Sequence, residues 1–375
     1  MKNNLLGHMP RYRRLMYSAF ALLVGATTLN APGAHAQGVQ QLAVQTQAQT
    51  QVPVQVQVQA LAPISEALEV SASLFKAQSF DWFDSQRQRP VPAKLYLPTT
   101  PAAPASMPLV VFSHGIGGSR DGYSYLGRYF AAHGYASLHV QHVGSDRQLW
   151  RGNPLSLVSR LSDAAQDSEA LNRVQDLRFA LDNLLAASEG ALVDTRRIAA
   201  AGHSYGANTT MLIAGAQIEQ QGQKVSLRDP RISAAILISA PPFYGMGDPK
   251  KILSSINIPT LHITATEDVI QIPGYFSGLQ DRVDIFNAMG GNGNGNGNGN
   301  GIAPKVLAVF KDGSHSIFTD RAGTGGVDLN PKVKIATRQL ALAFLDGVQT
   351  RNYQAIDAWP LRNAGIVSSF EKQLP

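Results

Sequence analysis

Downstream of about residue 63, short apolar runs rich in β-branched residues alternate with stretches whose apolar positions recur every three or four residues. The runs Lys94 to Leu97, Leu109 to Phe112, Ala136 to Val140, Arg197 to Ala201, Ala234 to Ile238, Thr260 to Thr264 and Val306 to Phe310 read as strands. Between them, Tyr123 to Ala132, Arg173 to Ala187, Ala207 to Ala216 and Lys332 to Leu345 carry apolar residues at helical spacing. Strand and helix in regular alternation predict a mostly parallel central sheet with helices on both faces, in a single α/β domain over 63–375. The stretches Gly144 to Glu169 and Pro241 to Ile256 read as loops.

Three segments fall outside this pattern. Residues 1–36 have the build of a secretory signal, with basic Lys2, Arg11, Arg13 and Arg14, an apolar run from Leu15 to Ala26, and the small-x-small site Ala34-His35-Ala36. Cleavage between Ala36 and Gln37 would release an exported protein, periplasmic or secreted. The apolar run is well short of the roughly 20 residues a membrane span needs, and no later stretch qualifies. Residues 37–62 are a Gln/Val-rich low-complexity linker, whose near alternation could also support an added strand or self-association. The Gly-Asn repeat at 290–301 cannot bury apolar surface and reads as a flexible surface insertion.

Charge and cysteine content narrow the chemistry. The formal net charge is +6, but four of those charges sit in the leader, so +2 remains after cleavage. That gives no charge-based argument for nucleic acid. The absence of cysteine rules out disulfides, a thiol nucleophile and thiolate metal sites. About 310 residues remain beyond the leader and linker, enough for one large core without covalent staples.

The candidate nucleophile is Ser204 in Gly202-His203-Ser204-Tyr205-Gly206. Gly-x-Ser-x-Gly alone is a weak signal, and its context strengthens it: the apolar run Ile198 to Ala201 precedes the motif and a helical pattern begins at Ala207. A sharp strand-to-helix turn needs glycines where backbone segments crowd together, and it holds the serine exposed at a helix N-terminus. The bland alternative is a Gly-rich turn with an idle serine.

A serine hydroxyl needs a base to act at neutral pH. After the strand Thr260 to Thr264, Asp268 occupies a loop suited to orienting an imidazole, with Glu267 as the rival acid one residue away. After Val306 to Phe310, His315 is the only histidine that follows Asp268, so the order is Ser, acid, His. Loop capping by Asp268 and an ordinary surface position for His315 are the plain alternatives. An oxyanion needs two backbone N–H donors, assigned here to Tyr205, next after the serine, and to Ile116 in the turn Ser113-His114-Gly115-Ile116-Gly117-Gly118. That turn lacks the Lys and Ser/Thr of a phosphate-binding P-loop. His139 and His142 have metal-like spacing but no further ligand cluster beside them, so no metal is assigned. Trp150, Phe243 and Tyr244 follow strands and could line a substrate pocket or simply pack.

From about Asp81 to Leu345 the chain resembles the bacterial α/β-hydrolases described as predicted dienelactone hydrolases, relatives of the platelet-activating-factor acetylhydrolases. The shared pieces are Asp84-Ser85-Gln86-Arg87-Gln88-Arg89 before Leu95-Tyr96-Leu97-Pro98, the Ser113 to Gly118 turn with His133-Gly134-Tyr135, and Gln141-His142-Val143-Gly144-Ser145-Asp146. The Ser204 pentapeptide, Thr266-Glu267-Asp268 and Gly313-Ser314-His315 complete the set. The resemblance implies an α/β-hydrolase fold, a Ser204, Asp268 and His315 triad, Ile116 and Tyr205 as oxyanion donors, and no cofactor. True dienelactone hydrolases use a cysteine nucleophile, which this chain lacks.

The expectation is therefore an exported serine hydrolase acting on a small-molecule or lipid-like carboxylic ester. A lipase, a polyester or cutin-type depolymerase and an amidase share the same constellation. From another class, a non-catalytic exported binding module on a hydrolase scaffold also fits.

Overall fold

Strands that are apolar at successive positions need cover on both faces, and a parallel sheet between helices supplies it. The computed structural model describes residues 68–375 apart from 101, 221, 273–274, 291–302 and 322. In chain order its elements are β1 (Phe75–Asp84), β2 (Arg89–Pro98), β3 (Met107–Ser113), α1 (Ser124–Ala132), β4 (Ala136–Val140), α2 (Leu157–Ala164), α3 (Asp167–Ala186), β5 (Val193–His203) and α4 (Tyr205–Ala214). Then come β6 (Gln217–Gln220), β7 (Gln223–Ser226), β8 (Ile232–Ile238), α5 (Pro249–Leu253), β9 (Thr260–Glu267), β10 (Ile270–Ile272), β11 (Tyr275–Ser277) and α6 (Leu279–Ala288). The series ends with β12 (Lys305–Ser314), α7 (Leu329–Thr350), α8 (Gln354–Arg362) and β13 (Val367–Gln373).

The main sheet has nine strands in the order β1-β2-β4-β3-β5-β8-β9-β12-β13. From β4 to β12 every neighbouring pair is parallel, while β1, β2 and β13 join antiparallel at the two margins. Side chains alternate between two cores with the period of two that strands impose. Leu109, Val111, Ile198, Ala200, Ala235 and Leu237 face one core, packed by α3 and α4 through Val174, Leu177, Leu181, Met211 and Ile213. Val110, Phe112, Ala201, Ile236, Ile263 and Phe310 face the other, packed by α1, α7 and α8 through Leu126, Phe130, Leu340, Phe344 and Trp359. This is the α/β-hydrolase architecture, and its consequence is positional. The parallel strands all deliver their C-terminal ends to one side of the sheet, where a ligand crevice belongs.

All seven expected strands are present, most of them longer than their apolar runs. β5 begins at Val193 and β12 runs on to Ser314. β1 and β13 were not expected, because they are margin strands with mostly exposed, polar side chains and no apolar run; backbone pairing with β2 and β12 holds them. The stretches read as loops contain α2 and α5. Helix α4 begins at Tyr205, earlier than its apolar pattern, and Ala216 lies beyond its end. No helix among the described residues is long and apolar enough to cross a membrane. The leader, the 37–62 linker and, apart from Gly290, the Gly-Asn insertion lie outside the described residues.

Candidate active site

Ser204 sits between β5 and α4 with φ 55° and ψ −123°, a backbone state that costs on the order of 1–3 kcal/mol in a non-glycine residue. Its N–H donates to Ile238 O at 2.9 Å, and its carbonyl accepts from Ala207 N at 2.8 Å, so strand β8 and helix α4 both hold the turn. The flanking glycines are required by distance. A Cβ on Gly206 would lie 1.9 Å from Ser113 O, and one on Gly202 would lie 2.2 Å from Gly206 O.

Three strand ends bring the expected groups together. Nε2 of His315, from the turn after β12, is 2.8 Å from Ser204 Oγ, and its Nδ1 is 2.6 Å from Asp268 Oδ1. The carboxylate belongs to Asp268, which is wholly buried; Glu267 points to solvent. Asp268 also accepts from Thr264 Oγ1 at 2.7 Å and Arg282 Nη2 at 3.3 Å. Burial works against its charge, but the hydrogen bond and charge of His315 and the charge of Arg282 outweigh it and hold the carboxyl below its usual range. An ionised Asp268 can accept only, which fixes the proton of neutral His315 on Nδ1 and leaves Nε2 free to accept from the serine.

The loop after β3 lies against the serine: a Cβ on Gly115 would be 3.3 Å from Ser204 Cβ. Ile116 follows it, and Tyr205 opens α4. Among the described residues, neither the Ile116 N–H nor the Tyr205 N–H has an internal hydrogen-bond acceptor.

Two sets of buried groups fix these loops. His203, between Gly202 and Ser204, has Nε2 2.9 Å from His315 O and Nδ1 2.8 Å from Tyr123 Oη. A carbonyl oxygen only accepts, so Nε2 carries the proton and Nδ1 takes that of Tyr123, whose oxygen accepts from Gly115 N at 3.4 Å. Burial pushes the His203 imidazole down to about 3, which keeps it neutral in this role.

The second set centres on Arg173 of α3, which is fully buried. Its guanidinium donates to Thr209 Oγ1 at 2.9 Å, Ser145 Oγ at 2.7 Å, Ser113 Oγ at 3.0 Å and the carbonyl of His114. Its Cζ lies 4.5 Å from the centre of the Tyr205 ring. Burial lowers its pKa to about 10, so it stays charged at neutral pH. Around it, Ser145 Oγ donates to Glu169 at 2.7 Å, His142 bridges Ser113 Oγ at 2.9 Å and Asp176 at 3.1 Å, and Arg89 pairs with both Glu169 and Asp176. Burial first, and neighbouring Arg173 second, push His114 and His142 well below the ordinary histidine range.

His139 is turned toward Ser137 Oγ and Gly122 O, away from the partners of His142, so the two histidines do not converge. Among the described residues no cluster of three or more His, Asp or Glu could hold a metal. Trp150 is half exposed and donates from Nε1 to Gly117 O at 2.9 Å, which puts it on the rim of the Ile116 loop. Tyr244 donates to or accepts from Ser277 Oγ at 2.6 Å, with its ring edge-on to Tyr275. Phe243 packs against the core on the α3 and α4 face.

A family model for platelet-activating factor acetylhydrolase, isoform II, matches residues 60–148. The chain is similar to that family over this stretch. The match suggests a serine ester hydrolase acting on a small-molecule ester. No match is found among curated proteins. The part similar to the acetylhydrolases runs through β1 to β4 and holds Arg87, Arg89, the Ser113 to Gly118 turn, His142 and Ser145. It thus carries the loop beside Ser204 and much of the buried frame behind it, and ends before Ser204 itself.

Sequence reasoning passed over His203, Tyr123, Thr264, Arg282 and, above all, Arg173. A signal for Arg173 was present: it shares a stripe with Leu177, Ala180, Leu181 and Leu184 at helical spacing, so a charge sits on an apolar face. Such a residue must find internal partners.

Proposed function

We propose that the protein is an exported serine hydrolase that cleaves carboxylic esters through an acyl-enzyme on Ser204. The observation that carries this reading is the unbroken line from Ser204 Oγ through His315 to Asp268, at 2.8 and 2.6 Å, ending on a buried carboxylate held ionised. Ser204 Oγ attacks the ester carbonyl carbon as its proton passes to His315 Nε2. The carbonyl oxygen becomes an oxyanion received by the N–H groups of Ile116 and Tyr205. The carbon–oxygen bond to the alcohol then breaks, and the leaving oxygen takes the proton from Nε2. Water, giving its proton to the same nitrogen, attacks the acyl carbon; the bond to Ser204 Oγ then breaks, Oγ takes that proton back from Nε2, and the acid leaves. Asp268 stays ionised throughout. Export is the part of the reading that rests on the leader at 1–36 alone.

Turnover of p-nitrophenyl acyl esters and labelling by a fluorophosphonate probe test the reading together. Ser204→Ala is expected to lose both, with kcat down by on the order of 10⁶-fold. Full activity in that variant would overturn the mechanism. A folded wild-type protein that takes no label would favour a binding module. Acyl esters of graded chain length, followed by a polymer film, separate a small-ester esterase from a lipase or a depolymerase.

A further inference from the structure

We propose that Arg173 is the positioning residue for the oxyanion site, setting where the Ile116 and Tyr205 N–H groups stand relative to each other. The proposal rests on the ester-hydrolase reading and adds to it a residue outside the Ser204, His315 and Asp268 line.

The two N–H donors belong to separate pieces of chain. Ile116 lies in the loop after β3, and Tyr205 begins α4. Arg173 is fully buried and reaches both at once. On the loop side it donates to Ser113 Oγ and the carbonyl of His114, two residues before Ile116. On the helix side it donates to Thr209 Oγ1, which itself donates to Tyr205 O at 3.0 Å, and its cationic face covers the Tyr205 ring.

The far side of the Ile116 peptide is tied to the same group. Gly117 N donates to Ser145 O at 2.8 Å, and Ser145 Oγ accepts from Arg173 Nη1 at 2.7 Å. Ile116 is therefore bracketed by residues fixed on one guanidinium. A planar fork with rigidly spaced donors can impose such spacing, where a single ammonium cannot.

The choice of partners points the same way. Among the described residues, no carboxylate lies within ion-pair distance of Arg173, although it shares a helix with Glu169 and Asp176. Those two carboxylates are taken up by Arg89, Ser145 and His142. The guanidinium is left to neutral oxygens on the β3 loop, the β4 loop and α4. Its charge is thus kept beside the place where an oxyanion would form, a fixed dipole-and-charge setting that needs no reorganisation during reaction.

The test is Arg173→Lys, with Thr209→Val as the second variant, and readouts that separate positioning from folding. Circular dichroism and cooperative melting define the folded fraction, and kcat and KM are measured on it. Affinity for a trifluoromethyl ketone, which forms an oxyanion adduct on the serine, is compared with that for the corresponding alcohol, which cannot. Displacing a reacting group by about 1 Å can cost on the order of 10²-fold. Arg173→Lys should lower kcat by about 10- to 100-fold and weaken the ketone by a similar factor, with KM and alcohol affinity within about threefold. Thr209→Val, which removes the helix-side tie alone, should lower kcat and ketone affinity together by about 3- to 10-fold, and it carries the test if Arg173→Lys does not fold.

A folded Arg173→Lys with kcat and ketone affinity within twofold of wild type would overturn the proposal while leaving the esterase reading intact. The same holds for Thr209→Val where that variant carries the test. A folded wild type that neither takes a fluorophosphonate nor hydrolyses esters would overturn both.

Discussion

Two polar clusters flank Ser204, and they are built on opposite rules. The cluster on the β9 and β12 side is a single file of Ser204, His315 and Asp268, open at its tip, where 19% of the His315 side chain is accessible. The cluster on the β3 and β4 side is dry and cross-linked: Arg173, His114, His142, Ser113, Ser145 and Asp176 are all buried and share partners in several directions. On the proposed function a proton moves only between Ser204 and His315, and Asp268 at the buried end stays ionised. A cross-linked cage holds backbone groups still and has no proton to give up, because its histidines are kept neutral and its arginines charged. On the proposed function the first side moves charge and the second receives it.

The largest expected effect breaks the file at its buried end. Asp268→Asn is close in shape, yet its amide can present an N–H to His315 Nδ1 and favour the wrong tautomer. A kcat loss of about 10⁴-fold is expected, with KM little changed. Glu267→Gln, one residue away and exposed, should leave kcat within about twofold, since surface substitutions away from such contacts have small effects. Equal losses from the two substitutions, read on p-nitrophenyl esters, would mean that the buried carboxylate is not the one that matters.

A second comparison is drawn by pH. Burial holds His139 at about 4 and His203 at about 3, and pushes His114 and His142 well below their ordinary value of 6.5. Between 6.5 and those depressed values the unfolded chain binds protons that the folded chain refuses. Stability is therefore fully present above 6.5 and is lost as pH falls, by about 1.4 kcal/mol per pH unit for each such imidazole. Asp268, also depressed, adds stability above its ordinary 3.8 that is lost only at still lower pH. Guanidinium titrations should show the midpoint falling between pH 6.5 and 4.5, unchanged in slope by Asp268→Asn. A flat midpoint over that range would show that the imidazoles are not held dry and neutral.

The same division governs what could be read from sequence. Ser204, Asp268 and His315 were legible because each is a chemically distinctive side chain just past an apolar strand, in an order this fold repeats. Ile116 and Tyr205 could be proposed only through their neighbours, since a backbone N–H has no sequence signature of its own. Arg173 was not, because an arginine in a helix reads as solvent-facing until the stripe it lies on is plotted. Nor was His203, which occupies a variable slot of the pentapeptide, and whose partner Tyr123 stands 80 residues away. In the fold, the buried parallel strands announced themselves by apolar runs. β1 and β13 did not, because margin strands are held by backbone pairing and present polar side chains to water.

The smallest expected effect sharpens the comparison most closely, because it separates the backbone of Tyr205 from its side chain. The proposed donor is the Tyr205 N–H, which any residue other than proline supplies. The Tyr205 hydroxyl is buried and, among the described residues, has no hydrogen-bond partner, while the ring lies under Arg173. Tyr205→Phe keeps the ring face that the guanidinium covers and removes an oxygen whose burial costs about 1–3 kcal/mol when unpaired. Kcat should stay within about twofold, and the melting midpoint should hold or rise, by up to about 1 kcal/mol in stability. Tyr205→Ala, which keeps the N–H but strips the ring from Arg173, should be clearly worse on both measures. If Tyr205→Phe instead lowered kcat tenfold at unchanged stability, the hydroxyl would be reaching the reacting atoms, and the receiving side of Ser204 would not be the motionless frame that its buried, cross-linked construction implies.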